Sequence, residues 1–307
     1  MSEIFSFQKK NDAERGEATP EAGQPVVSLV PEADTRAKTT TQSPAEPAIA
    51  ETFPPARPIR LIDSGLRGTE QRGRFDLSSA DRQIRNVLDP LTIVGEQFRL
   101  LRSKLGLMRK QRGIKTVLVT STCPQEGKTF AACGLASVIA QEPGKRVVLI
   151  DADMRKPRAG RGLGLEGEMI GLSHVLSGEV AFDDALLQST SLDFCFLPSG
   201  PVPPNPTELL SSSNLERTLR TAAESFDWII VDSPPVLGLS DATLIAHLCD
   251  TVLLVIRANV TPSKLVVETV KRIGRDRICG VVMNRQKHAH SSHYYGYYHK
   301  NSKRRKN

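Results

Sequence analysis

Thr116-Val-Leu-Val-Thr-Ser121 is apolar enough for a buried strand, and it runs into Thr122-Cys-Pro-Gln-Glu-Gly127-Lys128-Thr129 and then an alanine-rich helical stretch. No other feature constrains the fold so tightly. In a strand–loop–helix of this kind, backbone N–H groups and the positive end of the helix surround an anion. Lys128 then reaches the outer oxygens of a bound polyphosphate, and the Thr129 hydroxyl can ligate Mg²⁺. The candidate phosphate-binding residues are Thr122, Gln125, Glu126, Gly127, Lys128, Thr129 and Phe130. The match to G-x-x-x-x-G-K-[ST] is incomplete, because Thr122 takes the place of the first glycine. An isolated Gly-Lys-Thr is often only a helix start; the strand before it and the helix after it are what point to a nucleotide.

The rest of the chain repeats the alternation. Strands are expected at Lys115–Thr120, Arg146–Ile150, Leu192–Leu197, Trp228–Val231, Thr251–Ile256 and Ile278–Met283. Helices are expected at Lys128–Gln141, Leu172–Leu176, Ala181–Leu187, Ser213–Ser225, Asp241–His247 and Pro262–Ile273. An earlier amphipathic helix carries Leu91, Val94, Phe98, Leu101, Leu105 and Met108 at spacings of three and four, and ends near Gly113. Strands apolar throughout, alternating with helices, imply a mostly parallel sheet covered on both faces, a three-layer α/β/α domain. Its expected span is 86–287. Residues 1–85 are expected to be a disordered leader or linker, since the first 58 hold eight of the twenty prolines and only Phe5, Phe7 and Phe53 as aromatics. Residues 288–307 are expected to be a flexible tail.

Two further strands end in acids. Val147–Ile150 leads to Asp151-Ala-Asp153-Met-Arg155-Lys-Pro157, and Ile229-Ile-Val leads to Asp232-Ser-Pro-Pro235. In an open parallel sheet, ligands bind outside the carboxyl ends of the strands. Asp151, Asp153 and Asp232 are therefore expected to converge on the phosphate loop. Each alone reads as a strand-end or capping residue; three acids and a Gly-Lys-Thr together do not.

Charge and tyrosine are unevenly placed. The chain has 41 Lys/Arg against 34 Asp/Glu, net +7. Seven Lys/Arg and no acid fall in residues 285–307, so the domain before them is neutral. The basic isoelectric point thus describes a tail, and no aromatic-interleaved basic domain or recognition helix supports nucleic-acid binding. All four tyrosines, Tyr294, Tyr295, Tyr297 and Tyr298, lie in that tail. The Lys303-Arg-Arg-Lys306 run fits contact with an anionic membrane or a solubilising end about equally. His288, His290, His293 and His299 suggest metal binding only weakly. Five scattered cysteines without a CxxC suggest reduced thiols. There is no apolar run of the roughly 20 residues that cross a bilayer, nor an apolar signal-type segment at the start.

In these residues the chain resembles the bacterial tyrosine kinases, which belong to the MinD/ParA-like branch of P-loop proteins. The phosphate loop, VVLIDADMRKP and WIIVDSPP resemble the Walker A, A′ and B motifs. Glu96-x-x-Arg99-x-x-Arg102, Gly171-Leu-Ser-His-Val-Leu-Ser-Gly178, Leu197-Pro-Ser-Gly200 and Gly280-Val-Val-Met-Asn284 resemble further family blocks. The likeness covers about 89–285 plus the tyrosine tail. Gln125 departs from it, standing where many members have glycine.

The resemblance implies a tyrosine autokinase using ATP and Mg²⁺ and regulating exopolysaccharide synthesis and export. Lys128 and the loop bind phosphate, Thr129, Asp153 and Asp232 hold the metal, and Asp151 takes the phenol proton. Arg155 or Lys156 steadies the γ-phosphate, and Asn284 contacts adenine. It further implies a ring-shaped homo-oligomer built through Glu96, Arg99 and Arg102, with each tail entering a neighbour's site. A transmembrane chain-length-determinant-type adaptor would hold an otherwise cytoplasmic chain at the inner membrane. The alternatives are a MinD/ParA-like positioning ATPase without kinase activity, disfavoured by the lack of an early loop lysine, and an export scaffold with vestigial ATP binding.

Overall fold

All six residues of β3 (Thr116–Ser121) are buried because the strand lies in the middle of a sheet, with parallel neighbours on both sides. The computed structural model describes residues 24–28 and 73–286. Its sheet runs, from one edge to the other, β1 (Gln24–Ser28), β9 (Ile278–Gln286), β8 (Thr251–Arg257), β3, β7 (Trp228–Asp232), β4 (Val147–Asp151), β6 (Phe194–Leu197), β5 (Leu187–Ser189) and β2 (Arg74–Phe75). The six strands from β9 to β6 are mutually parallel; β1 and β5 pair antiparallel with their inner neighbours.

Alternate side chains of each strand enter opposite cores, as the two-residue period of a strand requires. Val117, Val119, Val147 and Leu149 face α1 (Arg82–Leu88), α2 (Ile93–Arg112) and α3 (Lys128–Ala140). Leu118, Val148, Ile150 and Val231 face α5 (Leu172–Ser177), α6 (Pro206–Ser211), α7 (Ser213–Ser225) and α8 (Asp241–Leu248). The remaining helices are the one-turn α4 (Ala159–Gly162) and α9 (Ser263–Ile273). Helix α3 is buried from Ala131 to Ala140, which is why its sequence is apolar on every side. The expected α/β/α architecture is the one found, and the six expected strands are in place to within a few residues.

The departures have local causes. The described structure reaches back to Gly73, before the expected boundary at 86. Phe75, Leu77, Ala80, Ile84 and Val87 all sit in the first core, and their larger side chains stabilise that docking by about 1.5–3 kcal/mol each. These positions are diluted among Ser, Asp and Arg, so the stretch reads as polar. Strand β1 likewise falls inside the expected leader. Leu91 is 86% exposed rather than part of the stripe, because α2 starts only after Thr92, whose hydroxyl accepts the Gly95 N–H as an N-cap. The expected helix at Ala181–Leu187 is a 3₁₀ turn, Phe182–Ala185, followed by β5. Helix α6 was hidden in a proline-rich run, although Pro206 occupies the first helical turn, where proline is favoured.

Candidate active site

The carboxyl ends of β3, β4 and β7 meet where the chain order of the sheet reverses, the usual ligand position in such sheets. Asp151 and Asp232 are register partners on β4 and β7, while β3 feeds the loop into α3. Gln125 and Gly127 both have left-handed backbone, φ 65° and 96°. Left-handed residues on either side of Glu126 turn the loop so that its N–H groups can converge on an anion, as in a nest. This backbone also explains why glycine suits position 125: Gln125 carries strain of about 1 kcal/mol there.

The loop is braced from below. The buried Glu126 side chain accepts from Cys123 N at 2.9 Å and from the Thr261 hydroxyl. Asn284 Nδ2 donates to Glu126 O at 2.8 Å, and its Oδ1 accepts from Arg285 N. Asn284, expected at adenine, thus has its amide engaged in holding the loop. A Cβ on Gly127 would lie 1.9 Å from Asn284 Nδ2. Gly127→Ala is therefore expected to destabilise the domain by about 3 kcal/mol and to weaken nucleotide binding, read by denaturation and by titration with a fluorescent ATP analogue.

Lys128 is the hub of the charged cluster. Its Nζ donates to Asp153 Oδ2 at 2.7 Å, lies 3.3 Å from Thr129 Oγ1 and 3.7 Å from Asp232 Oδ1. Burial opposes its charge, but Asp232 and Asp153 outweigh that and hold its pKa above the ordinary lysine value. Asp151 is fully enclosed. Its Oδ1 accepts from Asp153 N at 3.1 Å, and its Oδ2 from Arg158 N at 3.2 Å and Ala159 N at 3.0 Å. Burial, then the proximity of Asp232, pushes Asp151 up to about 8. The two acids of the A′ run are therefore not side by side along a strand. Asp151 ends β4 and fastens the following turn, which swings Asp153 to Lys128.

Asp232 is also raised by burial, against the pull of Lys128 and Thr129. Neither of those closes to a hydrogen bond, and both of its carboxylate oxygens are buried without one. Orphaned anionic oxygens are costly. Together with the Thr129 hydroxyl they form a hard, oxygen-only donor set, which fits Mg²⁺. Among the described residues no group of three His, Cys, Asp or Glu could hold a metal alone. Asp232→Asn is expected to stabilise the nucleotide-free domain by about 1–2 kcal/mol, measured by thermal denaturation in chelator.

Other residues named from sequence have different surroundings. Arg155, the candidate for the γ-phosphate, is engaged elsewhere. Its Nε pairs with the buried Asp241 at 2.7 Å, and a terminal nitrogen donates to Thr207 Oγ1 at 2.8 Å. Thr207 in turn donates to Asp241 Oδ1 at 2.7 Å. Asp241 was missed because it reads as an ordinary first-turn residue of α8, and Thr207 because it lies in the proline-rich run where no helix was expected. The Phe130 ring packs edge-on against Phe98, centroids 5.6 Å apart, leaving its N–H as its means of touching phosphate. Thr122 is buried, with its hydroxyl unpartnered. Beside Thr129 opens a cavity of about 510 Å³ walled by Asp81, Ile84, Phe130, Arg158 and Arg161.

On α2, Glu96 and Arg99 pair at 3.0 Å with side chains 66% and 20% exposed. Arg99 also donates to Pro90 O, and Arg102 to Val138 O on α3. The four tyrosines lie outside the described residues.

Comparisons with known proteins agree with this geometry. Residues 115–276 match the family model described as an AAA domain. The chain is 36% identical over 222 residues to the tyrosine-protein kinase YwqD of Bacillus subtilis, covering 71% of this chain and 92% of that protein. It is 33% identical over 219 residues to the tyrosine-protein kinase wzc of Salmonella typhimurium, where it spans only 30% of that longer protein. Among solved structures, the kinase domain of the Escherichia coli tyrosine kinase ETK superposes with a TM-score of 0.62 at 29% identity, covering 72% of this chain and 93% of that one.

Proposed function

The chain belongs to the bacterial tyrosine-protein kinases, and from that premise we propose that it transfers the γ-phosphoryl group of ATP to tyrosines of its own C-terminal cluster. The observation that carries this reading is the meeting of Lys128, a nest-shaped loop and the orphaned Asp232 carboxylate at one end of the sheet. Such a site has little covalent chemistry to do; it positions the reactants and neutralises charge.

In the proposed reaction the phenol oxygen of Tyr294, Tyr295, Tyr297 or Tyr298 attacks the γ-phosphorus. The new O–P bond forms as the bond to the bridging oxygen breaks, and ADP leaves. Lys128 and the loop N–H groups hold the phosphates. Thr129 and Asp232, with Asp153, would hold Mg²⁺, which would supply neutralisation of the phosphate charge. Asp151 is assigned the phenol proton; this requires that binding of nucleotide and acceptor free it from the turn it holds through Arg158 N and Ala159 N and leave it ionised. An ordinary tyrosine pKa near 10 makes prior ionisation rare, so a carboxylate held at the attacking oxygen contributes. The acceptor ring enters by the cavity beside Thr129. Arg155 acts at one remove, fixing the run that carries Asp153, and Lys156 is then the cation of that run available to the γ-phosphate.

The wider setting is also proposed. Copies associate through the α2 face bearing Glu96, Arg99 and Arg102, and each tail serves a neighbour's site. No described helix is long and apolar enough to cross a membrane. A transmembrane chain-length-determinant-type adaptor, helped by the basic tail on anionic lipid, brings the chain to the inner membrane. There it regulates exopolysaccharide or capsule synthesis and export.

A mixing experiment tests transfer between copies. A Lys128→Met chain is incubated with Mg-ATP and a second, size-tagged chain whose four tyrosines are Phe. Phosphotyrosine on the Lys128→Met chain is expected; its absence, with each partner folded and the wild-type chain active, contradicts transfer in trans.

A further inference from the structure

A second cavity, of about 570 Å³, lies between α5 and the proline-rich loop before α6, away from the phosphate loop. Its walls include Ser173, His174, Glu179, Val202, Glu208 and Leu209, and no Lys or Arg. Both carboxylates are exposed; Glu179 accepts the Ser177 hydroxyl, and neither pairs with a cation among the described residues. Ser173 lines the cavity and is 6% exposed; its hydroxyl, packed against Gly200, has no hydrogen-bond partner. Two exposed carboxylates without a cation leave this wall of the cavity acidic. Val202, 59% exposed, and the neighbouring prolines supply an apolar rim of fixed shape.

The cavity is tied to the catalytic machinery. Glu208 follows Thr207, the residue that Arg155 grips two positions after Asp153. The chain itself holds a segment of matching chemistry. Lys303-Arg-Arg-Lys306 begins five residues after Tyr298, a span of about 17 Å when extended.

The geometry points to this cavity as the docking site for the basic run 303–306 of a second copy, which presents the tyrosines just before it to the active site. This rests on the reading of the tail as phosphoacceptor. A cationic segment finds two carboxylates there, and the contact is weakened by salt. The same arrangement favours release after reaction, because each phosphate adds about −1.5 to −2 charge to the segment held at an acidic wall.

The test is binding of a labelled peptide of residues 287–307 with all four tyrosines replaced by Phe, followed by fluorescence anisotropy. The protein is the full chain with its own Lys303, Arg304, Arg305 and Lys306 changed to Ala. Glu179→Gln together with Glu208→Gln is expected to weaken binding roughly fivefold to tenfold at low salt. Glu142→Gln with Glu268→Gln, the same charge change away from the cavity, is expected to leave it unaltered. Equal binding by all three proteins overturns the inference. So does tight binding of the peptide to phosphatidylglycerol vesicles with none to the protein, which assigns the basic run to lipid. Because the peptide cannot be phosphorylated, docking is read separately from transfer. A chain that docks the peptide yet never forms phosphotyrosine refutes the kinase reading alone.

Discussion

Replacing Lys128 with Met is expected to lower phosphoryl transfer by about a thousandfold or more, the scale seen when one preorganised charge-stabilising donor is removed from an active site. Lys128 Nζ sits 2.7 Å from Asp153 and 3.7 Å from Asp232. No other Lys or Arg side chain pairs with either acid among the described residues. The same change leaves two buried carboxylates without their cation, at an expected cost of about 3 kcal/mol. Thermal denaturation must therefore accompany the assay, so that loss of activity is read only where the variant is folded. A folded Lys128→Met chain that still transfers phosphate at a near-normal rate would remove the hub from the mechanism.

Replacing Tyr294, Tyr295, Tyr297 and Tyr298 with Phe is expected to abolish autophosphorylation altogether while leaving ATP affinity within about twofold. The chain has no other tyrosine, and Phe keeps the ring while removing the attacking oxygen. Four phosphates at about −1.5 to −2 each would also roughly cancel the charge of a segment that carries seven Lys/Arg and no acid. The wild-type chain should therefore shift to a lower isoelectric point and run more slowly on phosphate-affinity gels after incubation with ATP, and the Phe variant should not. Persistent phosphate on tyrosine is impossible in this variant, so residual incorporation would have to be on Ser or Thr and would point to another acceptor chemistry.

The sheet was legible because its central strands are apolar throughout, as β3 and β4 are, and a buried parallel strand needs just that. The acids at 151, 153 and 232 were legible for a related reason: an Asp ending an apolar run sits where the sheet opens to ligand. Contacts between segments far apart in sequence were not. Arg155 carries the charge suited to a γ-phosphate, and nothing nearby in the chain announces that Asp241, 86 residues on, captures it. Asn284 reads as a base contact, yet its amide braces Glu126 across 158 residues. The segment 74–88 failed for the opposite reason. Its buried side chains are few and scattered, so composition hid a real docking surface. In each case local pattern gave the element or the residue type, and tertiary packing decided what the side chain was free to do.

The most direct test of the kinase reading is to incubate the purified chain with Mg-ATP and map phosphotyrosine by mass spectrometry, with Lys128→Met and chelator as controls. The expected result is phosphate on tyrosines within 294–298, absent from both controls. Hydrolysis of ATP with no phosphotyrosine anywhere in the chain would contradict it and leave a nucleotide-switched ATPase in its place.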